Sequence, residues 1–339
     1  QNQNAVVSQH FGDLEEYSVM RLYETAFSDL CGLLNIKPDL AVCDLHPNYF
    51  SSKFARSLNL PVLSVQHHHA HIASVMAEHN LNEKVIGVAF DGTGYGTDGN
   101  IWGGEFLVCD GADFERAAHL AYTPILGGDS STKDAQKTAA CFLLAVGLED
   151  HIDAAGKDLI KAAVNSKINT ALSSSMGRLF DAVSSILNIK NENSYEGECA
   201  AHLEKQAILA KRAGIIPTKL SFEVEKSGDM ITASPKKLLR VLCELRVHTD
   251  IGSLALGFHY AVADCILNIC GIIRNKQNIH TVALSGGVFQ NTVLTERTIE
   301  LLTQNGFQVK YNSSVPPNDG GISLGQTYVG LMKLSREGL

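Results

Sequence analysis

Leu60-Pro61-Val62-Leu63-Ser64-Val65-Gln66-His67-His68-His69-Ala70-His71-Ile72-Ala73-Ser74-Val75-Met76-Ala77 reads as a short buried strand that runs straight into a helix. Upstream, Asp39-Leu40-Ala41-Val42-Cys43-Asp44 is a second such strand, with a short helix between the two, and apolar positions recur at helical spacing from about Leu14 to Leu34. Strand, helix and strand in this order predict a parallel pair and an α/β fold. Downstream, Val85 to Phe90 is a third strand, Asp91-Gly92-Thr93-Gly94-Tyr95-Gly96-Thr97-Asp98-Gly99 a glycine-dense turn, and Ile101 to Cys109 a returning strand.

The pattern from about Lys133 to Ala213 is mostly helical, broken at Gly156-Lys157-Asp158 and from Asn191 to Gly197. A short strand pair is expected over Leu220–Val224 and Met230–Thr232, then long helices over about Pro235–Val247 and Gly252–Ile273. The strand Thr281-Val282-Ala283-Leu284 enters Ser285-Gly286-Gly287, a helix starts near Asn291, Phe307 to Tyr311 is a strand, and a last helix runs from about Ser323 to Leu334. The polar Gln1 to Asn4 followed by Ala5-Val6-Val7-Ser8 reads as the tail of a hairpin whose first strand would precede residue 1.

At 339 residues the chain can hold two lobes, each with its own core. A hydrophobic content of 45% and a charged content of 19% exclude disordered and coiled-coil classes. The net charge of −8 gives no general attraction to phosphodiester backbones, and Lys236 and Lys237 read as a solvated helix start, so no nucleic-acid partner is expected. No run of about 18 apolar residues suggests a membrane span. The eight cysteines are scattered with no Cys-x-x-Cys pair, which fits buried free thiols in a reducing cytoplasm.

His67 and His71 are four residues apart, so on a helix their imidazoles share one face and can ligate one cation. Histidines satisfied at a helix N-terminus are the alternative, and His68 and His69 are either substrate contacts or structural. Two imidazoles leave a metal short of ligands, which calls for carboxylates from other loops. Asp91 and Asp319 qualify because each ends a strand or turn and is followed by glycine, although an Asx-turn role accounts for either alone. The glycine turn after Asp91 is neither a Walker loop nor a dinucleotide fingerprint, because it returns as a strand. It suits a phosphate-holding hairpin whose amides converge on an anion, with Thr93 adding a hydroxyl; an ordinary Gly-rich hairpin is the alternative. Ser285-Gly286-Gly287-Val288-Phe289-Gln290-Asn291 ends a strand and opens a helix, where amides and dipole can face a nucleotide. Carboxylates in Gly177-Arg178-Leu179-Phe180-Asp181 and Tyr195-Glu196-Gly197-Glu198 suit ribose hydroxyls. No Ser-His-Asp or Cys-His nucleophile signature stands out, so positioning and charge stabilisation are the expected means of catalysis.

Taken in order, Ser8-Gln9-His10-Phe11-Gly12-Asp13-Leu14, Cys43-Asp44-Leu45-His46-Pro47, Val65 to His71, Phe90 to Gly96, Gly127-Gly128-Asp129, Gly177 to Asp181, Tyr195-Glu196-Gly197 and Leu284 to Asn291 resemble the C-terminal domain of HypF, the hydrogenase-maturation carbamoyltransferases. The resemblance spans essentially the whole chain. It implies a two-lobed actin-like ATPase fold of mixed sheets flanked by helices. The first lobe would be 1–80 and the second 81–321, with a helical insertion over about 130–215, and the C-terminal helix 322–339 would pack back on the first lobe. It implies transfer of carbamoyl from carbamoyl-adenylate, made from carbamoyl phosphate and ATP, to the C-terminal cysteine of a HypE-type acceptor. A divalent metal (iron, zinc, manganese or magnesium) would sit on His67, His71, Asp91 and Asp319, and Gly92, Thr93, Gly94, Tyr95, Asp129, Asp181, Glu196, Gly286, Gly287 and Asn291 would hold the adenylate. The adenylate-forming domain of such proteins has no counterpart in this sequence. Ser130-Ser131-Thr132-Lys133-Asp134 stands where the resemblance would place Arg-Glu-Pro-Trp. A small-molecule O-carbamoyltransferase and a non-catalytic nucleotide-binding module are the competing expectations.

Overall fold

Val85–Phe90 and Thr281–Ser285 are buried at every position, and this is why they form the middle of the main sheet instead of an edge. The computed structural model describes residues 4–337 apart from 13 and 155, without the side chains of Asp129, Ser130 and Glu337. In chain order its first elements are α1 (Tyr17–Leu33), β1 (Ala41–Asp44), α2 (Phe50–Ser57), β2 (Val62–Val65), α3 (His67–Glu78), β3 (Val85–Phe90), β4 (Gly104–Asp110), β5 (Asp113–Leu120), β6 (Thr123–Leu126), α4 (Ala135–Ala145), α5 (Lys157–Asn165) and β7 (Thr170–Ser173). Then follow α6 (Met176–Ile186), α7 (Glu198–Arg212), β8 (Glu223–Ser227), β9 (Met230–Ser234), α8 (Lys236–Leu245), α9 (Ile251–Gln277), β10 (Thr281–Ser285), α10 (Thr292–Gln304), β11 (Gln308–Tyr311) and α11 (Ile322–Glu337).

The main sheet runs β11-β10-β3-β4-β5-β9-β8. It is mixed: β10 lies parallel to both β3 and β11, whereas β3, β4 and β5 form an antiparallel meander. One face carries the largest core, shared with α4, α6, α7, α8, α9 and α10; the other packs Ile72, Val75 and Met76 of α3 against Val85, Ala89, Leu107 and Ala283. The mixed α/β architecture expected of the actin-like class is present. α9 is long and apolar enough to cross a membrane by length and composition, with a mean hydropathy of 1.6. Its Leu254, Phe258, Val262, Ile266 and Ile269 are instead buried in the main core, against α7 and α10.

The expected parallel pair is β1 and β2, in register from Ala41 opposite Val62 to Asp44 opposite Val65. α11 lies across α3 and also touches β1 and β2. The helices meet at Gly325, where a Cβ would stand 1.8 Å from the Ala70 carbonyl oxygen, so only hydrogen fits.

Several expectations need correction. Residues 4–8 form no strand and are exposed, so the hairpin tail expected at Ala5–Ser8 is not formed among the described residues. The stretch 130–215 is mostly helical as expected, but it holds one strand the pattern did not mark, β7, which pairs antiparallel with β6. That pairing buries Thr123, Ile125 and Ser173, a short-range alternation that helical periodicity hides. The strand after the glycine turn begins at Gly104, with Ile101 bridging only Tyr95 and Ser173. The strand pair after Leu220 sits at Glu223–Ser227 and Met230–Ser234.

Candidate metal and nucleotide site

The histidine helix is started by Gln66, whose Oε1 accepts from the His69 amide at 2.9 Å while its Nε2 donates to the Tyr95 carbonyl at 3.1 Å. One residue therefore caps α3 and ties it to the glycine loop. His67 and His71, one turn apart and buried, bring their Nε2 atoms to 3.2 and 3.3 Å from Asp91 Oδ2. Both stand 3.6 Å from Asp319 Oδ1, and all four donor atoms lie within 4.8 Å of one another. Donors around one tetrahedral ion at bond lengths of about 2.1 Å stand roughly 3.4 Å apart, so the four pairwise contacts fit a shared divalent cation.

Asp91 closes β3 and is fixed on all sides. Its amide donates to the Gly103 carbonyl at 2.8 Å, and its carbonyl accepts from the Gly177 amide and the Ser175 hydroxyl, each at 3.0 Å. Its Oδ1 accepts from the Gly287 amide at 3.2 Å, leaving Oδ2 for the imidazoles. Asp319 is the open member, with 72% of its side chain exposed. Burial by itself would push the pKa of His67 and His71 down, but hydrogen bonds to Asp319 and Asp91, and to Asp44 for His67, outweigh it and raise both. Burial likewise works against charge on Asp91 and Asp319, yet their hydrogen bonds from the imidazoles hold both carboxyls below the usual range.

His67 Nδ1 donates to Asp44 Oδ2 at 2.9 Å, which orients the ring and leaves Nε2 to donate to the carboxylates when the imidazole is protonated, or to offer its lone pair to a cation when it is neutral. Asp44 is itself oriented by the His46 amide at 2.7 Å. The sequence placed Asp44 at a strand end and assigned it no role; its signal is a carboxylate closing the strand parallel to the one that delivers the histidines. His69 Nε2 donates to the Gly111 carbonyl at 3.2 Å and is structural, whereas His68 Nδ1 accepts from Gln66 and leaves its Nε2 buried without a partner.

The two glycine turns approach the same centre. A Cβ at Gly94 would meet His68 Cε1 at 2.4 Å and His67 Cδ2 at 2.9 Å. Gly286 has φ +104° and sits against the Phe90 carbonyl oxygen, with its amide on the Pro317 carbonyl at 2.8 Å, so this turn also braces the loop that carries Asp319. Gly92 and Gly287 adjoin Asp91; Thr93 and Tyr95 are exposed. The glycine loop is held from behind by Asp98, which accepts from Trp102 Nε1 at 2.9 Å, and by Arg116, whose guanidinium lies 3.9 Å over the Trp102 ring and pairs with buried Glu105 at 2.6 Å. None of these bracing residues was legible as functional.

Asp181 is buried on α6, and Glu196 faces the cleft with its pKa raised by partial burial and by the charges of Asp91 and Asp319. The Asp129 side chain lies outside the described residues. Asn291, expected as an adenylate contact, has its side chain engaged within the fold. Its Oδ1 caps α10 by accepting from the Leu294 amide at 2.9 Å, and its Nδ2 donates to His259 Nε2 at 2.9 Å. His259 in turn donates from Nδ1 to the Ala255 carbonyl at 2.7 Å, so it is a neutral core histidine, with burial pushing its pKa down to about 4.

Residues 87–326 match the family model described as carbamoyltransferase, Kae1-like domain, second subdomain, and residues 1–78 match the HypF Kae1-like domain. Over 96% of its length the chain is 37% identical to the carbamoyltransferase HypF of Synechocystis sp.. A full-length HypF, whose crystal structure is phosphate- and nucleotide-bound, superposes at a TM-score of 0.89 with 40% identity over 96% of the chain. The HypF of T. kodakarensis superposes at 0.86 with 33% identity over 97%. The chain spans 44%, 43% and 45% of the lengths of these three proteins respectively. A match by sequence and by fold along nearly its entire length makes this chain a member of the HypF carbamoyltransferase family, over the span of the Kae1-like domain.

Proposed function

We propose that this chain transfers a carbamoyl group from carbamoyl-adenylate to the C-terminal cysteine of a HypE-type acceptor, a step in hydrogenase maturation in the cytoplasm. The observation that carries the reading is the convergence of His67, His71, Asp91 and Asp319 beside two glycine turns, in a chain of this family. Mixed imidazole and carboxylate donors suit iron, zinc or manganese better than calcium. Bound there, such an ion would neutralise phosphate charge and polarise the carbamoyl carbonyl. The chain's own residues do the placing. The amides of Gly92 to Tyr95 receive the adenylate, Gly286 and Gly287 leave room for it beside Asp91, and Asp181 and Glu196 take its hydroxyls.

The acceptor thiolate forms an S–C bond to the carbamoyl carbon. The C–O bond to phosphate breaks, and AMP leaves with that electron pair. Carbamoyl-adenylate comes from an adenylate-forming domain outside this sequence. Division into a lobe of 1–80 with helix 322–339 and a lobe of 81–321 belongs to the same proposal, and the seating of α11 on α3, β1 and β2 supports it.

The test supplies carbamoyl-adenylate and a HypE-type protein and follows thiocarboxamide formation by mass. His67→Ala and Asp319→Ala are expected to lose the reaction and the bound metal together. Equal rates in both variants and the parent would remove the site from the reaction. Turnover on a small hydroxylated acceptor instead would select O-carbamoyl transfer, and nucleotide binding with no turnover would select a non-catalytic module.

A further inference from the structure

Arg178 and Asp181 form a buried pair that the transfer scheme leaves half used. They stand three residues apart on one face of α6, their side chains are 7% and 2% exposed, and Arg178 Nη1 lies 3.0 Å from Asp181 Oδ2. The contact is an ion pair without well-formed hydrogen bonds. Arg178 Nε and Nη1 and both Asp181 oxygens are buried with no hydrogen-bond partner, as is the hydroxyl of Ser184 on the next turn. Folded proteins rarely leave such groups unmatched, least of all those of a guanidinium, unless a ligand or ordered water completes them.

The guanidinium is aimed at the glycine loop. Its Nη2 lies 3.3 Å from the point a Cβ on Gly92 would occupy, and Glu196 Oε1 lies 3.7 Å from the same point. A ligand atom laid over Gly92 therefore touches Arg178 on one side and Glu196 on the other. The remaining charges that act on Glu196 here are those of Asp91, Asp319 and Asp181, all acidic. An anion entering such a cleft is repelled unless a cation meets it, and the metal proposed for the four donors is largely balanced by Asp91 and Asp319 already. The backbone beneath is rigid. The Ser175 hydroxyl donates to the Gly92 carbonyl at 2.7 Å and accepts from the Arg178 amide at 3.0 Å, while a Cβ at Gly177 would meet Gly92 Cα at 2.9 Å.

We infer that Arg178 is a phosphate-binding side chain of this cleft, taking a phosphate oxygen of a nucleotide laid over Gly92 while Asp181 holds the guanidinium on aim. The inference rests on the nucleotide reading above and adds to it the residue that separates a nucleotide from a nucleoside. A planar guanidinium suits this position because it can keep Asp181 with one nitrogen and offer the others to phosphate, which an ammonium does less well.

The test measures calorimetric affinity for AMP and for adenosine, in buffer with Mn²⁺, on the parent chain, Arg178→Gln and Arg178→Lys, with circular dichroism of each. The parent is expected to prefer AMP. Arg178→Gln is expected to lose about 10- to 100-fold in AMP affinity while adenosine binding stays unchanged, the effect of one charge-assisted contact. Arg178→Lys is expected to fall between. If both variants keep the parent's preference for AMP, or if folded variants lose AMP and adenosine equally, Arg178 is a structural residue and the inference is overturned. If Arg178→Gln does not fold, Arg178→Lys decides by the same two affinities. A parent chain that binds neither probe overturns the nucleotide reading itself, and this inference with it.

Discussion

Asp44 shows how much of the site depends on a side chain that touches no ligand. Without its bond to His67 Nδ1 the imidazole is free to rotate or to exchange tautomers, and either change costs the shared centre an Nε2 lone pair aimed at a cation. Asp44→Asn keeps the shape but weakens the acceptor, so metal affinity is expected to fall about 10- to 100-fold with the fold retained. Competition against a chromogenic chelator reads this directly, and unchanged affinity would show that His67 is oriented by packing alone. The spacing of His67 and His71 was legible because helical geometry maps sequence distance onto one face. Asp44 was not, because 23 residues separate it from His67 and strand pairing, not spacing, closes that gap.

One helix sets the register of the whole centre. α3 carries both imidazoles at its start, and at its end Glu78 accepts from the Ser313 and Ser314 amides, each at 2.8 Å, and from the Ser313 hydroxyl. That carboxylate anchors the segment that delivers Asp319 to the helix that bears the histidines. Partial burial opposes its charge, but the hydrogen bonds of Ser313 and Ser314 win and pull its pKa down to about 2. A depressed carboxyl stabilises the fold fully above its unfolded value near 4.5, and the contribution disappears as pH falls towards 2. Glu78→Gln should therefore cost about 1 kcal/mol at pH 7, discounted for solvent screening, and weaken metal binding. Thermal melts should show the gap to the parent narrowing steadily below pH 4.5; a gap independent of pH would contradict the role of the charge. Where α3 meets α11, Gly325→Ala must push α11 away from the Ala70 carbonyl and is expected to cost about 2 kcal/mol or more. Denaturant unfolding would show it, and a neutral result would mean the helices separate without penalty.

Across the molecule, the four donors come from α3, from the end of β3 and from the loop before α11, so a cation that bridges them cross-links segments far apart in sequence. Saturating Mn²⁺ or Zn²⁺ at about 1,000 times its dissociation constant should add about 4 kcal/mol of stability. That corresponds to a melting temperature several degrees higher, reversed by chelator and absent in His67→Ala; identical melts with and without metal would argue against the site. Much of this was readable in the chain. Continuous apolar runs at Val85–Phe90 and Thr281–Leu284 were legible as strands, glycine punctuation marked both turns, and the four donors were named from spacing and from resemblance. Local rules sufficed there because helix periodicity and turn chemistry act within a few residues. β7 escaped notice because four residues pairing with a distant strand carry little local signal, and the bond between Asn291 and His259 was invisible because the two sit on different helices. Only the packed structure decided which polar groups are spent on each other and which, like Arg178, remain unmatched beside the cleft. Hydrogen-bond satisfaction is settled by neighbours in space, and a linear sequence does not specify them until the backbone has folded.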